Sequence, residues 1–201
     1  YSVLPLGENR TYLSIGDVVG HGLTAVEDMA QLRSAGNAYA HQGLGPARVL
    51  AELSNFAANM SRGEFATTMV AVYDQSTATL TYSCAGHPPA LLRRADTGEV
   101  IRLDEARGPI LGLPDGGSYR EATVATRPGD VVVMYTDGLV EHASHSVGDG
   151  IAHLEGVLEC WPPAALLDCE SLAADVAPRP YADDVCLLVV RIATPDRDTG
   201  E

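Results

Sequence analysis

The chain has 201 residues, 46% of them hydrophobic, enough for one domain with a real core and too few for two large ones. Its 27 acidic against 13 basic residues leave a formal net charge of −14, which argues against nucleic acid or an anionic membrane as partner, because phosphate-bearing surfaces select for basic proteins. No apolar run approaches the roughly 18 residues that span a bilayer, no signal-peptide pattern opens the chain, and Cys84, Cys160, Cys169 and Cys186 form no C-x-x-C or zinc-finger spacing, so the expectation is a cytoplasmic protein without membrane insertion and with free thiols.

Tyr1–Leu6 is extended in character, and Gly7-Glu8-Asn9-Arg10 reads as a hairpin turn into a strand Thr11–Ile15 that ends at Gly16-Asp17. A glycine-rich loop, Val18-Val19-Gly20-His21-Gly22, leads to a helix whose stripe is Ala25, Met29, Leu32, Gly36 and Ala40. A second helix starts at Pro46, carries Val49, Leu50, Leu53, Phe56, Ala57 and Met60, and stops near Gly63. Strands are predicted at Phe65–Tyr73, Thr79–Cys84, Ala90–Arg93, Val100–Leu103, Tyr119–Thr126 and Val131–Thr136. Helical patterns return at Gly150–Leu158 and Ala164–Val176, separated by Pro162-Pro163 and ended by Pro178. A last strand is Val185–Ile192, so one domain spans 1–192 and a polar tail 193–201. The strand links are mostly too short for parallel crossovers, so the expectation is a layered α+β fold with mainly antiparallel sheets.

Three acidic positions share one context. Asp17 and Asp137 each follow a strand, and Asp183-Asp184 precedes one. If the closing strand runs opposite to the other two, all three acids meet at one sheet edge. Carboxylates held that close repel unless a proton or cation intervenes, and oxygen ligands without histidine or cysteine favour magnesium or manganese. Each aspartate alone also fits a turn or cap. The loop Gly16–Gly22 lacks the lysine of a phosphate-cradling Walker A loop, and its glycines suit backbone approach to a cation better. His21, His87 and His142 are candidate general acids. A satisfied loop histidine is the favoured reading of His87, beside Pro88-Pro89, and of His142, whereas His21 is left open as an accessory candidate with Gly138.

Ile15-Gly16-Asp17-Val18-Val19-Gly20-His21-Gly22 resembles the metal loop of bacterial metal-dependent (PPM-type) serine/threonine phosphatases, in the SpoIIE and sigma-factor-regulator branch. In family order there follow Phe65-Ala66-Thr67-Thr68, Ala85-Gly86-His87-Pro88-Pro89-Ala90-Leu91-Leu92, Gly108-Pro109-Ile110-Leu111-Gly112, Pro128-Gly129-Asp130, Tyr135-Thr136-Asp137-Gly138-Leu139-Val140-Glu141 and Ala182-Asp183-Asp184-Val185. The resemblance implies a four-layer α-β-β-α sandwich with two antiparallel sheets between helix pairs. It implies two divalent cations, Mn2+ or Mg2+, with Asp17 bridging both, the Val18 carbonyl on one, Asp137 and Asp183 on the other, and Asp184 beside them. It also implies hydrolysis of phosphoserine or phosphothreonine on a phosphorylated anti-sigma-factor antagonist, often under an upstream sensor domain. Two departures stand out. The branch's first strand usually carries Gly-Gly-Asp just before the point where this chain begins, and Ser2 stands where a second acid is common, so a longer protein is expected. Val19 occupies the place of the histidine general acid of eukaryotic relatives. The rival expectations are a degenerate, non-catalytic binding module and, disfavoured by the acidic balance, a nucleotide phosphodiesterase.

Overall fold

A computed structural model of the chain describes residues 1–20, 22–60, 65–113, 117–141, 146–162, 168–177 and 183–193. The elements run β1 (Ser2–Pro5), β2 (Arg10–Val18), α1 (Leu23–His41), α2 (Pro46–Ala58), β3 (Ala66–Asp74), β4 (Thr79–Ala85), β5 (Ala90–Arg93), β6 (Val100–Leu103) and β7 (Arg107–Gly108). They continue with β8 (Ala122–Ala125), β9 (Val131–Tyr135), a 3-10 turn (Asp137–Leu139), α3 (Val147–Cys160), α4 (Cys169–Val176) and β10 (Leu187–Arg191). One sheet has the order β1-β2-β3-β4-β7, with β8 also on β4; the other has the order β10-β9-β5-β6. Among the described residues these strands pair antiparallel except for the short β4–β7 pairing, beside which an isolated parallel bridge joins Thr68 and Gly86.

Period-two alternation sorts the strand residues into separate cores. Leu13, Ile15, Met69, Leu80, Tyr82, Leu92, Val132 and Met134 meet between the sheets. Tyr12, Val70 and Val72 face the other way, toward Leu32, Val49, Leu50 and Leu53 of α1 and α2. Leu91, Val131, Val133 and Tyr135 pack on Ile151, Leu154 and Leu158 of α3 and on Leu172 and Val176 of α4. Three cores separate four layers, α-β-β-α, as the resemblance implies. The small residues on the α1 stripe have a packing reason: a Cβ on Gly36 would sit 3.1 Å from the Tyr12 hydroxyl and 3.4 Å from a Leu53 methyl.

Several boundaries move. β2 runs on through Gly16, Asp17 and Val18 rather than stopping before them, because all three pair with Thr68, Thr67 and Ala66 of β3. β8 is shorter than Tyr119–Thr126, β10 starts at Leu187 rather than Val185, and α2 ends at Ala58. Helix α3 begins at Val147, where Ser146 and Asp149 form a capping box. Helix α4 begins at Cys169 under an Asp168 cap. Gly63, Pro178, residues 163–167 and the tail from 194 lie outside the described residues. No helix among the described residues is long and apolar enough to cross a membrane.

Candidate metal centre

Strand parity aims Asp17. Leu13 and Ile15 face the inter-sheet core, so Asp17, two residues on, is the last side chain of β2 on that face and stands at its mouth. Gly16 is what lets β2 approach β3 there: a Cβ on it would lie 2.7 Å from the Thr67 carbonyl oxygen. On the opposite sheet the β9–β10 pairing continues past Tyr135. The Thr136 N–H donates to the Cys186 carbonyl at 3.0 Å, and the Thr136 hydroxyl donates to the Asp184 carbonyl at 3.1 Å. The chain then tightens into the 3-10 turn that presents Asp137. Gly138 lies so close to the approach to β10 that a Cβ would fall 2.5 Å from the Asp184 carbonyl oxygen.

These elements bring carboxylate oxygens of Asp17, Asp137 and Asp183 within 4.8 Å of one another. Asp17 and Asp137 are half-buried, and Asp183 and Asp184 are exposed. The single-sheet-edge expectation is corrected: Asp17 leaves the six-stranded sheet, whereas Asp137 and Asp183 belong to the four-stranded one. The acids meet across the sandwich because the chain changes sheets between β4 and β5, β6 and β7, and β8 and β9, the last step placing β9 and the Asp137 that follows it opposite β2.

Among the described residues no cation pairs with this cluster: Arg48–Glu52, Arg94–Asp130, Arg102–Glu155 and Arg127–Asp96 are ion pairs elsewhere in the fold. Each carboxylate accepts the N–H of its successor, Val18 at 2.9 Å, Gly138 at 3.1 Å and Asp184 at 2.8 Å, which uses one of the several lone pairs it offers. Burial, offset in part by the Val18 N–H, and repulsion from Asp137, Asp183 and Asp184 push the Asp17 carboxyl above its usual range. Three hard oxygen donors with no nitrogen or sulfur beside them fit magnesium or manganese.

A cleft of about 340 Å³ adjoins the cluster, lined by Asp17, Val18, Val26, Arg33, Thr136 and Asp184 among others. Arg33 is the one cation among its described lining residues. The sequence reading missed it, although Val26, Met29, Ala30 and Arg33 stand at offsets of 3, 4 and 7, on one helical face. Val18 is buried beside Asp17. His21 and His142 lie outside the described residues.

His87 is the satisfied histidine that its surroundings suggest. It is 1% exposed, with Nδ1 2.9 Å from the Thr67 hydroxyl and Nε2 3.1 Å from the Tyr135 carbonyl. Burial pushes its pKa down to about 4 despite the Tyr135 carbonyl, so it is no proton donor at neutral pH. The folded value lies below that of the free imidazole, so this stabilisation is complete above about pH 6.5 and disappears as the pH falls toward 4, by at most about 3 kcal/mol. Asp17 acts in the opposite sense: in the metal-free protein its ionisation removes stability as pH rises through the carboxylate range. Denaturant melts of the metal-free parent and of His87→Gln between about pH 4 and 6.5 should isolate the histidine contribution as the part of the slope that the variant lacks. Equal slopes would contradict it.

Asp130, the acid of the Pro128-Gly129-Asp130 motif, is outside the cluster and wholly buried. It pairs with Arg94 at 2.8 Å and accepts the N–H groups of Ala95 and Arg127 at 2.9 Å, while its own carbonyl accepts Ile192 N–H at 2.8 Å. Its part is to tie the start of β9 to the β5–β6 hairpin and to the end of β10.

This sandwich is the fold of PP2C-type phosphatase domains. A solved structure of the PP2C phosphatase domain and a regulatory fragment of SpoIIE from Bacillus subtilis superposes with a TM-score of 0.80 at 16% identity, over 95% of this chain and 57% of that one. Residues 7–193 match the profile of Stage II sporulation protein E (SpoIIE), and the chain belongs to that family. The crystal structure of the RsbU and RsbW domains of a Mycobacterium tuberculosis protein gives a TM-score of 0.84 at 29% identity, over 96% of this chain and 56% of that one. The phosphoserine phosphatase RsbU of Bacillus subtilis is 28% identical over 130 residues, which are 64% of this chain and only 38% of RsbU.

Proposed function

We propose that the chain is a metal-dependent protein phosphatase domain that hydrolyses phosphoserine or phosphothreonine on a regulatory protein. The observation that carries this reading is the convergence of Asp17, Asp137 and Asp183 from two sheets, with no protein cation among the described residues to neutralise them. Asp17 would contact two divalent cations, the Val18 carbonyl one of them, and Asp137 and Asp183 the other, with Asp184 as a ligand or a support beside them. Bound there, manganese or magnesium supplies positive charge for a phosphate and lowers the pKa of an attacking water. The chain's own part is to hold the carboxylates and to present Arg33, a guanidinium suited to a phosphate oxygen, in the adjoining cleft. Val26 of the cleft lining is exposed, as are Val19 and Leu23 in the adjoining loop and helix start, an apolar surface better matched to a protein than to a nucleotide. Membership in the SpoIIE family and similarity to the phosphoserine phosphatase RsbU support an anti-sigma-factor antagonist, in a partner-switching cascade in the cytoplasm, as the substrate.

The test is hydrolysis of p-nitrophenyl phosphate and of a phosphoserine-bearing antagonist protein with manganese, with and without chelator. Turnover of both that chelator abolishes is the expected result. Hydrolysis indifferent to chelator would refute the metal reading. Capture of the phosphoprotein without turnover would make the chain a binding module.

A further inference from the structure

We propose that His87 is a positioning residue: as a neutral imidazole it fixes the separation of the two sheets at the place where Asp17 and Asp137 leave them. The proposal rests on reading the acidic cluster as a metal centre. His87 lies in the segment that carries the chain from β4 in one sheet to β5 in the other. Its two ring nitrogens face different sheets. Nδ1 meets the hydroxyl of Thr67, the residue opposite Asp17 in the β2–β3 register. Nε2 meets the carbonyl of Tyr135, two residues before Asp137.

A carbonyl only accepts, so Nε2 carries the hydrogen and donates it to Tyr135. Nδ1 is then the lone-pair nitrogen and accepts from the Thr67 hydroxyl. The surrounding inter-sheet core is apolar, and apolar contact attracts without setting a direction or a fixed distance. Two hydrogen bonds through one rigid ring set both. The ring itself is held. The Cys84 thiol donates to the His87 carbonyl at 3.1 Å, and Gly86 adopts φ 65° where a Cβ would collide with Ile110. The mutually repelling carboxylates at the mouth tend to push the sheets apart, and the imidazole resists that separation directly behind them.

The experiment is manganese titration calorimetry on His87→Leu, Thr67→Val, Thr67→Ser and Leu80→Ala, at a temperature where every variant is folded. Leu80 lies in the same inter-sheet core, on the β4 end remote from the acids, and controls for general loss of stability. His87→Leu and Thr67→Val are expected to weaken manganese binding by roughly 10–100-fold, the effect usual for groups that orient metal ligands. Thr67→Ser, which keeps the hydroxyl, and Leu80→Ala should bind as the parent does. If His87→Leu fails to fold, the Thr67→Val and Thr67→Ser pair decides. Parental affinity in Thr67→Val, or an equal loss in Leu80→Ala, would overturn the proposal. A parent that binds no manganese would instead overturn the metal reading. The imidazole is then judged by its ring nitrogens in long-range proton–nitrogen NMR spectra of the metal-free protein, where hydrogen on Nε2 is expected, and hydrogen on Nδ1 or a mixture of tautomers would refute the bridge.

Discussion

Asp17→Asn should abolish manganese binding and manganese-dependent phosphatase activity while leaving the sandwich folded. The substitution keeps volume, and its amide oxygen can still accept the Val18 N–H. What it removes is the negative charge at the only acid of the cluster contributed by the six-stranded sheet. The loss of affinity should exceed the roughly 10–100-fold typical of a residue that merely supports a ligand. The metal-free variant should melt slightly higher than the metal-free parent, by no more than about 1 kcal/mol because solvent screens a half-exposed group. The sign follows from the repulsion that pushes the Asp17 carboxyl upward. Titration calorimetry and a thermal melt on the same sample check both parts. Binding of two ions at parental affinity would remove Asp17 from the centre.

Gly138→Ala should be nearly as damaging, although it adds one methyl group and changes no charge. The new Cβ would lie 2.5 Å from the Asp184 carbonyl oxygen and 3.2 Å from the Asp183 carbonyl carbon. Both contacts are backbone, so no rotamer change relieves them. Either the Asp137–Leu139 turn or the approach to β10 must shift, and each carries one of the acids. A stability loss of about 1–3 kcal/mol is expected, with weaker manganese binding. Parental manganese affinity in the folded variant would show that this close approach does not set the spacing of Asp137 and Asp183.

Both predictions start from residues whose place at strand ends is legible in the sequence. Alternating apolar runs give most strands, the helical stripes of α1 and α2 reappear as buried faces, and Asp17, Asp137 and Asp183 stand out because charge follows or precedes an apolar run. Sheet membership is not legible. Strand ends look alike whichever sheet they leave, and nothing in Gly86-His87-Pro88-Pro89 or in Arg127-Pro128-Gly129-Asp130 announces a change of sheet, so three acids from two sheets read as one edge. β7 escapes because two residues in a parallel bridge have no period. The earlier start of α3 could have been found, since Ser146 and Asp149 carry the capping pattern. Gly150, by contrast, reads as a helix start; it is in fact the point where α3 nearly touches Val140, so close that a Cβ there would collide with the Val140 carbonyl oxygen. His87 reads correctly as a satisfied ring, but its partners are 20 and 48 residues away and carry no local signal.

The wholly buried carboxylate of Asp130 gives strand β9 two unlike ends. At its start, one guanidinium and two backbone N–H groups satisfy that charge and bind the β5–β6 hairpin to the turn before β9, while the Asp130 carbonyl holds the end of β10. Roughly 17 Å further along the strand, charges of the same sign gather with no protein counter-ion among the described residues. Asp130 thus fastens the strands of the four-stranded sheet to one another at that end, as a spine holds pages, whereas at the other margin the acids repel one another in front of the His87 bridge. Slow hydrogen exchange along β9 and β10 should therefore be graded, slower at Val131 and Arg191 near the spine than at Tyr135 and Leu187 beside the acidic margin. A divalent ion at that margin would act as a clasp, and the depth of the gradient would report how firmly it is closed.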